Sequence, residues 1–143
     1  DAYDPVGFYF EWGSDDLFDP PGSLAWVTDL GFVPTLVRER IRKAKILVLE
    51  SNYCPQMLEA DTKRPWSLKQ RIKSRHGHLS NKSTFELLNS YQSPCWQEIF
   101  IMHLSKDCND VNLVRNQFGK LNGQGTRFRT YVIDPNSAEP HRV

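Results

Sequence analysis

The run ILVLES at residues 46–51 constrains the fold more than any other stretch. Consecutive apolar residues with no polar alternate are the pattern of a strand covered on both faces, which belongs inside a layered protein. EIFIM at residues 98–102 alternates weakly but is mostly β-branched, aromatic or apolar, and it too reads as a buried strand. VGFYFEW and LAWVTD read as two more strands, joined by GSDDLFDPPGS, whose Gly, Pro and Asp content makes a long irregular turn. VPTLVRERIRKAK is a helix with Val33, Leu36, Val37 and Ile41 on one stripe and basic residues on the other. WSLKQRIKSR and KSTFELLNSY are helical, the second preceded by Ser80 and Asn81 as N-caps. DVNLVRNQFGKLN follows as a helix and RFRTYVID as a strand. Strands alternating with helices predict an α/β (α+β layered) architecture, and 143 residues at 39% hydrophobic suit one modest domain.

The three cysteines, Cys54, Cys95 and Cys108, show no C-x-x-C spacing, so neither a zinc knuckle nor a disulfide framework is signalled, and a reducing, cytoplasmic setting fits best. No signal peptide, membrane span, internal repeat or low-complexity linker is visible. Net charge is only +1, yet residues 1–29 hold seven acids and no Lys or Arg, whereas twelve basic residues between Arg38 and Lys82 face only Glu39, Glu50, Glu59 and Asp61. That reversal suits either a solvated helical face or a surface for an anionic substrate. The chain opens on Asp-Ala and enters a strand pattern within a few residues, which reads as a start inside a fold, with the remainder expected upstream.

Polar residues stand where apolar elements end. His103 follows EIFIM, Asp29 follows LAWVT with Gly31 close behind to allow a tight turn, Glu50, Ser51 and Asn52 close ILVLESN, and His76 and His78 flank a glycine before a helix. Each has a plain structural explanation: an edge histidine bonded to a carbonyl, an aspartate capping the helix near Val33, a buried glutamate paired with an arginine, a histidine at a helix start. Loops of this kind on one sheet edge would converge, however, and converging imidazole and carboxylate suit zinc, manganese or iron. A catalytic zinc needs at least three protein ligands and a water position, which Asp29 and His103 alone do not supply.

WVTDLGFV, LVLESN, LKQRI, HGHLSN and MHLSKD, in this order, closely resemble the C-terminal half of metallo-β-lactamase-fold hydrolases of the WalJ/YycJ type, relatives of the ribonuclease Z group. The likeness covers nearly the whole chain. It implies that residues 1–143 are half of a single αββα sandwich domain whose N-terminal half carries an H-x-H-x-D-H metal motif. Residue by residue, Asp29 matches the aspartate that bridges two metals, and His103 the last histidine ligand. His78 resembles a non-ligand histidine that contacts the scissile phosphate and helps protonate the leaving oxygen, with Glu50 as its orienting acid. A carboxylate bonded to imidazole fixes its tautomer and raises its basicity.

The resemblance thus implies a hydrolase cleaving phosphodiester bonds, with two divalent metal ions, zinc or manganese, in the intact protein and nucleic acid as the substrate. Lys69, Arg71, Lys73 and Arg75 become candidates to hold flanking phosphates without reading sequence, with Ser105 and Asn52 as further substrate-binding candidates. The expected partner is the N-terminal half, in the same or a separate chain, and a homo-oligomer is a further possibility. Residues 1–143 alone are expected to bind metal poorly and to be inactive. Departures from the pattern fall at Tyr53 and Cys54, where His-Asp is usual, and at Cys108, where an asparagine is common. The other readings are the same fold acting on a thioester or lactone, and a non-catalytic half-domain.

Overall fold

The computed structural model describes residues 5–13, 21–122, 127–137 and 141–142. Within them the strands β1 (Phe8–Trp12), β2 (Gly22–Val27), β3 (Ile46–Glu50), β4 (Glu98–Met102), β5 (Arg129–Val132) and β6 (His141–Arg142) form one sheet, ordered as in the chain. β1 pairs antiparallel to β2 and β6 antiparallel to β5, while β2, β3, β4 and β5 run parallel. Parallel neighbours need crossovers. These are α1 (Thr35–Lys43) between β2 and β3, then α2 (Pro55–Ala60), α3 (Trp66–Lys73) and α4 (Asn81–Asn89) before β4, and α5 (Val111–Phe118) with a 3-10 turn (Gly119–Asn122) before β5. Each crossover steps one strand in the same direction, so right-handed connections stack α1, α4 and α5 on one face, while Leu58 of α2 and Ile72 of α3 join a separate small cluster with Tyr53 and Cys108.

The core lies between that face and the helices. Ala25, Val27, Leu47, Leu49, Ile99, Ile101 and Val132 from the sheet meet Ile41, Leu87, Leu88, Val114 and Phe118 from α1, α4 and α5. The opposite face follows the alternate residues. The register Phe8↔Trp26, Trp26↔Val48, Val48↔Phe100 and Phe100↔Tyr131 draws one apolar row across five strands. At the β1 end this row is open: Phe8, Phe10, Trp12 and Trp26 are 56%, 52%, 49% and 41% exposed. Val48, which lies between Trp26 and Phe100 in the register, is buried.

Several local expectations are corrected. Leu36 is 71% exposed, because the buried stripe of α1 runs through Val33, Val37 and Ile41 at four-residue steps, and Leu36 lies one residue off it. α2 was not anticipated; six residues carry too little periodicity, although Pro55 at the first turn is a favourable start. The helix expected through Asn122 ends as an α-helix at Phe118 and tightens into the 3-10 turn at Gly119. The irregular turn between the first two strands falls largely on residues 14–20, outside the described residues. Among the described residues no helix is long and apolar enough to cross a membrane.

Candidate active site

β2, β3 and β4 are neighbours, so their carboxyl ends lie side by side, with Val27 beside Leu49 and Glu50 beside Met102. Loops at the carboxyl ends of parallel strands are where open α/β sheets place ligands. Asp29 comes just after β2, Glu50 is the last residue of β3, and His103 directly follows β4. Asp29 and His103 both have φ of 59°, in the left-handed region that non-glycine residues avoid. Each such backbone costs roughly 1–2 kcal/mol, so the surroundings must hold it in place.

Glu50 is the group that holds them. It is fully buried, and its carboxylate accepts from Asp29 N (3.1 Å), Leu30 N (2.9 Å), Leu79 N (2.9 Å), His78 Nδ1 (3.0 Å) and His103 Nδ1 (3.1 Å). Burial raises its pKa, yet the hydrogen bonds from His103, His78, Leu79 and Leu30 outweigh that and hold the group at about 2. In return the Glu50 bond lifts the His103 pKa above its ordinary value, against burial and with help from Asp29. Glu50 therefore stays ionised while keeping both rings oriented through Nδ1.

His78 reaches this group from the loop between α3 and α4, and two glycines let the loop approach. A Cβ on Gly31 would lie 1.9 Å from Ser74 O, and one on Gly77 would lie 2.1 Å from Ile72 O. Gly31 thus serves close packing of the Asp29 loop on the His78 loop, rather than the tight turn expected of it. Beneath, a buried polar network fixes the end of β3. Thr84 Oγ1 donates to Glu50 O (2.8 Å), Ser51 Oγ to Asn81 Oδ1 (2.7 Å), and Asn109 Nδ2 to Ser51 O (2.8 Å) and Asn52 O (2.9 Å). Asn81, Thr84 and Asn109 escaped the sequence reading as site-supporting residues; polar side chains in a helix's first turn, beside a second polar cluster at CND, were the only signal.

The geometry brings Asp29, His78 and His103 together. Their ligand atoms lie within 4.8 Å of one another, with Asp29 Oδ1 3.7 Å from His78 Nδ1 and 4.0 Å from His103 Nε2. The two rings meet edge to face at 5.3 Å. One carboxylate and two imidazoles, with both Nδ1 atoms engaged by a buried acid, are donors that could hold a divalent metal ion. Three ligands are the minimum for one catalytic ion, and a second ion needs more.

The plain alternatives do not hold. α1 is capped by Pro34 without a side-chain bond, so Asp29 is no cap, and α4 is capped by Ser80 Oγ accepting from Ser83 N, not by His78. The Glu50 carboxylate takes its hydrogen bonds from histidines and backbone amides, not from an arginine, and His103 bonds that carboxylate rather than a carbonyl.

Of the substrate candidates, Asn52 and Ser105 lie beside the site. Asn52 Nδ2 donates to His103 O (2.8 Å), and Ser105 N donates to Asn52 O (2.7 Å). Lys69, Arg71 and Lys73 lie on α3; Lys69 Nζ donates to Glu59 O (2.8 Å) and Lys73 is paired with the Glu59 carboxylate. Arg75 stacks over Phe32 at 4.4 Å, in the loop following Asp29.

The chain is thus a layered α/β protein that gathers a carboxylate and two imidazoles, able to hold a metal ion, around a buried glutamate at three parallel strand ends. No family model matches the chain. It is 32% identical over 117 residues to the exodeoxyribonuclease YycJ of Bacillus anthracis, covering 78% of this chain and 44% of that protein. It is 31% identical over 123 residues to the exodeoxyribonuclease WalJ of Streptococcus pneumoniae strains D39 and R6, covering 82% of this chain and 45% of theirs. The chain belongs to the WalJ/YycJ-type metallo-β-lactamase family. It spans less than half the length of these relatives.

Proposed function

We propose that this chain forms part of a metal-dependent phosphodiesterase that removes nucleotides from DNA. The observation that carries the reading is the grouping of Asp29, His78 and His103 around the ionised, buried Glu50. The names of the relatives, exodeoxyribonucleases, supply the substrate class. Asp29 and His103 would hold divalent metal, zinc or manganese, in a two-ion site completed by ligands from the rest of the domain. Bound there, the ions supply a Lewis acid for the phosphate and a hydroxide near neutral pH. His78, fixed through Nδ1 by Glu50, presents Nε2 to the leaving oxygen as a proton donor. Asn52 and Ser105 border the reacting phosphate, while Lys69, Arg71, Lys73 and Arg75 hold neighbouring phosphates by charge.

In this reading residues 1–143 are the C-terminal half of one sandwich domain, and the N-terminal half covers the open face of Phe8, Phe10, Trp12 and Trp26. Free Cys54, Cys95 and Cys108 accord with a reducing, cytoplasmic setting. The test is hydrolysis of single-stranded DNA by the full-length protein. We expect nucleotide release that is abolished by a chelator, restored by zinc or manganese, and weakened by rising salt. Turnover of a thioester or lactone without DNA cleavage would overturn the reading.

A further inference from the structure

A cavity of about 360 Å³ opens directly beside the two histidines, with His78 and His103 both in its wall. We infer that it receives the terminal nucleoside of the strand being shortened, seating the base against Tyr53 and α3 while the attached phosphate lies at the histidines. The inference rests on the phosphodiesterase reading and adds where the substrate's end is bound.

Size is the first argument. The cavity is at the small end of the roughly 300–1,000 Å³ usual for small-molecule sites, enough for a base and sugar and too little for a duplex. Its lining is the second. Leu68 and Ile72 of α3 supply one apolar wall, and the buried side chains of Tyr53, Leu58 and Cys108 the floor. An aromatic ring and aliphatic walls suit the face of a base, a contact that every base can make. Main-chain contacts hold the lining in place: Tyr53 bridges to Ser80, and Cys54 N donates to Cys108 O at 2.8 Å. A cavity of this size takes one nucleoside, which suits the end of a strand better than its middle.

Charge is the third argument. Arg64 also lines the cavity, but its guanidinium donates to Asp61 Oδ2 and to Asp107 Oδ2, each at 2.8 Å. Two carboxylates balance that cation, so it forms a fixed wall rather than an anchor for a second phosphate. Asn52 and Ser105 line the cavity beside the histidines, and their polar groups match a sugar and its ester oxygens.

The test fills the cavity in the full-length, metal-loaded protein. Leu68 is 36% exposed, so Leu68→Trp can place its ring in the cavity without overpacking the core, and Ile72→Phe fills it from the next turn. Calorimetry with deoxyadenosine monophosphate should show binding to the parent protein, weakened roughly tenfold or more in both variants, the scale of one lost base contact. Mononucleotide release from single-stranded DNA should fall by a similar factor in kcat/KM, while hydrolysis of bis(nitrophenyl) phosphate stays within about twofold, because that diester has no base to seat. Parallel loss on both substrates, unchanged DNA cleavage, or no nucleotide binding to the parent would overturn the inference. If the parent cleaves no phosphodiester yet binds the nucleotide and both variants lose it, the hydrolase reading falls and the nucleoside site stands.

Discussion

Five hydrogen bonds converge on the Glu50 carboxylate, three from backbone amides and two from imidazoles, so one atom exchange tests the arrangement. Glu50→Gln keeps the shape but offers one accepting oxygen in place of two. Buried donors left without a partner cost about 1–3 kcal/mol each, and urea unfolding at pH 7 should show a loss of that order or more. The pH dependence has a fixed sign. The folded pKa of Glu50, about 2, lies below its ordinary value of 4.5, so its ionisation stabilises the fold above about pH 4.5 and that stability is lost as pH falls toward 2. The gap in stability between the parent and Glu50→Gln should narrow over that window; a constant gap would show that ionisation is not what Glu50 contributes. His103→Ala and His78→Ala separate the two rings. In the full-length protein His103→Ala should lower metal content and rate together, while His78→Ala should keep metal and lower turnover roughly 100- to 10,000-fold, the scale of a lost acid or base. Full metal in the first variant and metal loss in the second would exchange the two roles.

At the scale of elements, the site depends on loops being brought together. Gly31 lets the segment after β2 lie on the segment after α3, and without that contact Asp29 and His78 separate. Gly31→Ala puts a methyl where Ser74 O lies 1.9 Å away, so the loops must part. We expect a loss of roughly 1–3 kcal/mol, typical of overpacking, with a larger fractional loss of DNA cleavage; an unchanged melting temperature with full activity would refute it. α3 is the other element whose role is measurable. None of its residues is buried, and Lys69, Arg71 and Lys73 project from it, so their exchange for Gln should leave the fold intact. Weaker DNA binding with a shallower dependence on salt should follow, since each lost phosphate contact removes about 0.7 from the slope on single strands. An unchanged slope would assign the basic helix to solvent alone.

For the molecule as a whole, the apolar patch of Phe8, Phe10, Trp12 and Trp26, open at the β1 end of the sheet, is the main unmet demand among the described residues, because exposed patches of that kind drive association. Residues 1–143 expressed alone should sediment as a self-associated species, hold clearly less than one ion per chain, and lose the association when the rest of the domain is supplied. A monomer with a cooperative melt and tightly held stoichiometric zinc would sink the half-domain reading. Much of this was legible in the chain itself. ILVLE announces a buried strand because its side chains are nearly all apolar, whereas EIFIM is buried on one face only, through Ile99 and Ile101, and Ser80 marks the start of α4 because a hydroxyl there satisfies an orphan amide. The polar residues at the strand ends were visible for the same reason, as breaks in apolar runs. Other facts depend on distance across the fold. That Glu50 joins His78, 28 residues away, to His103, 53 residues away, follows from β3 lying next to β4 and from two glycines admitting a loop. Strand order and close backbone approach are set by packing among distant segments, and no local pattern encodes them.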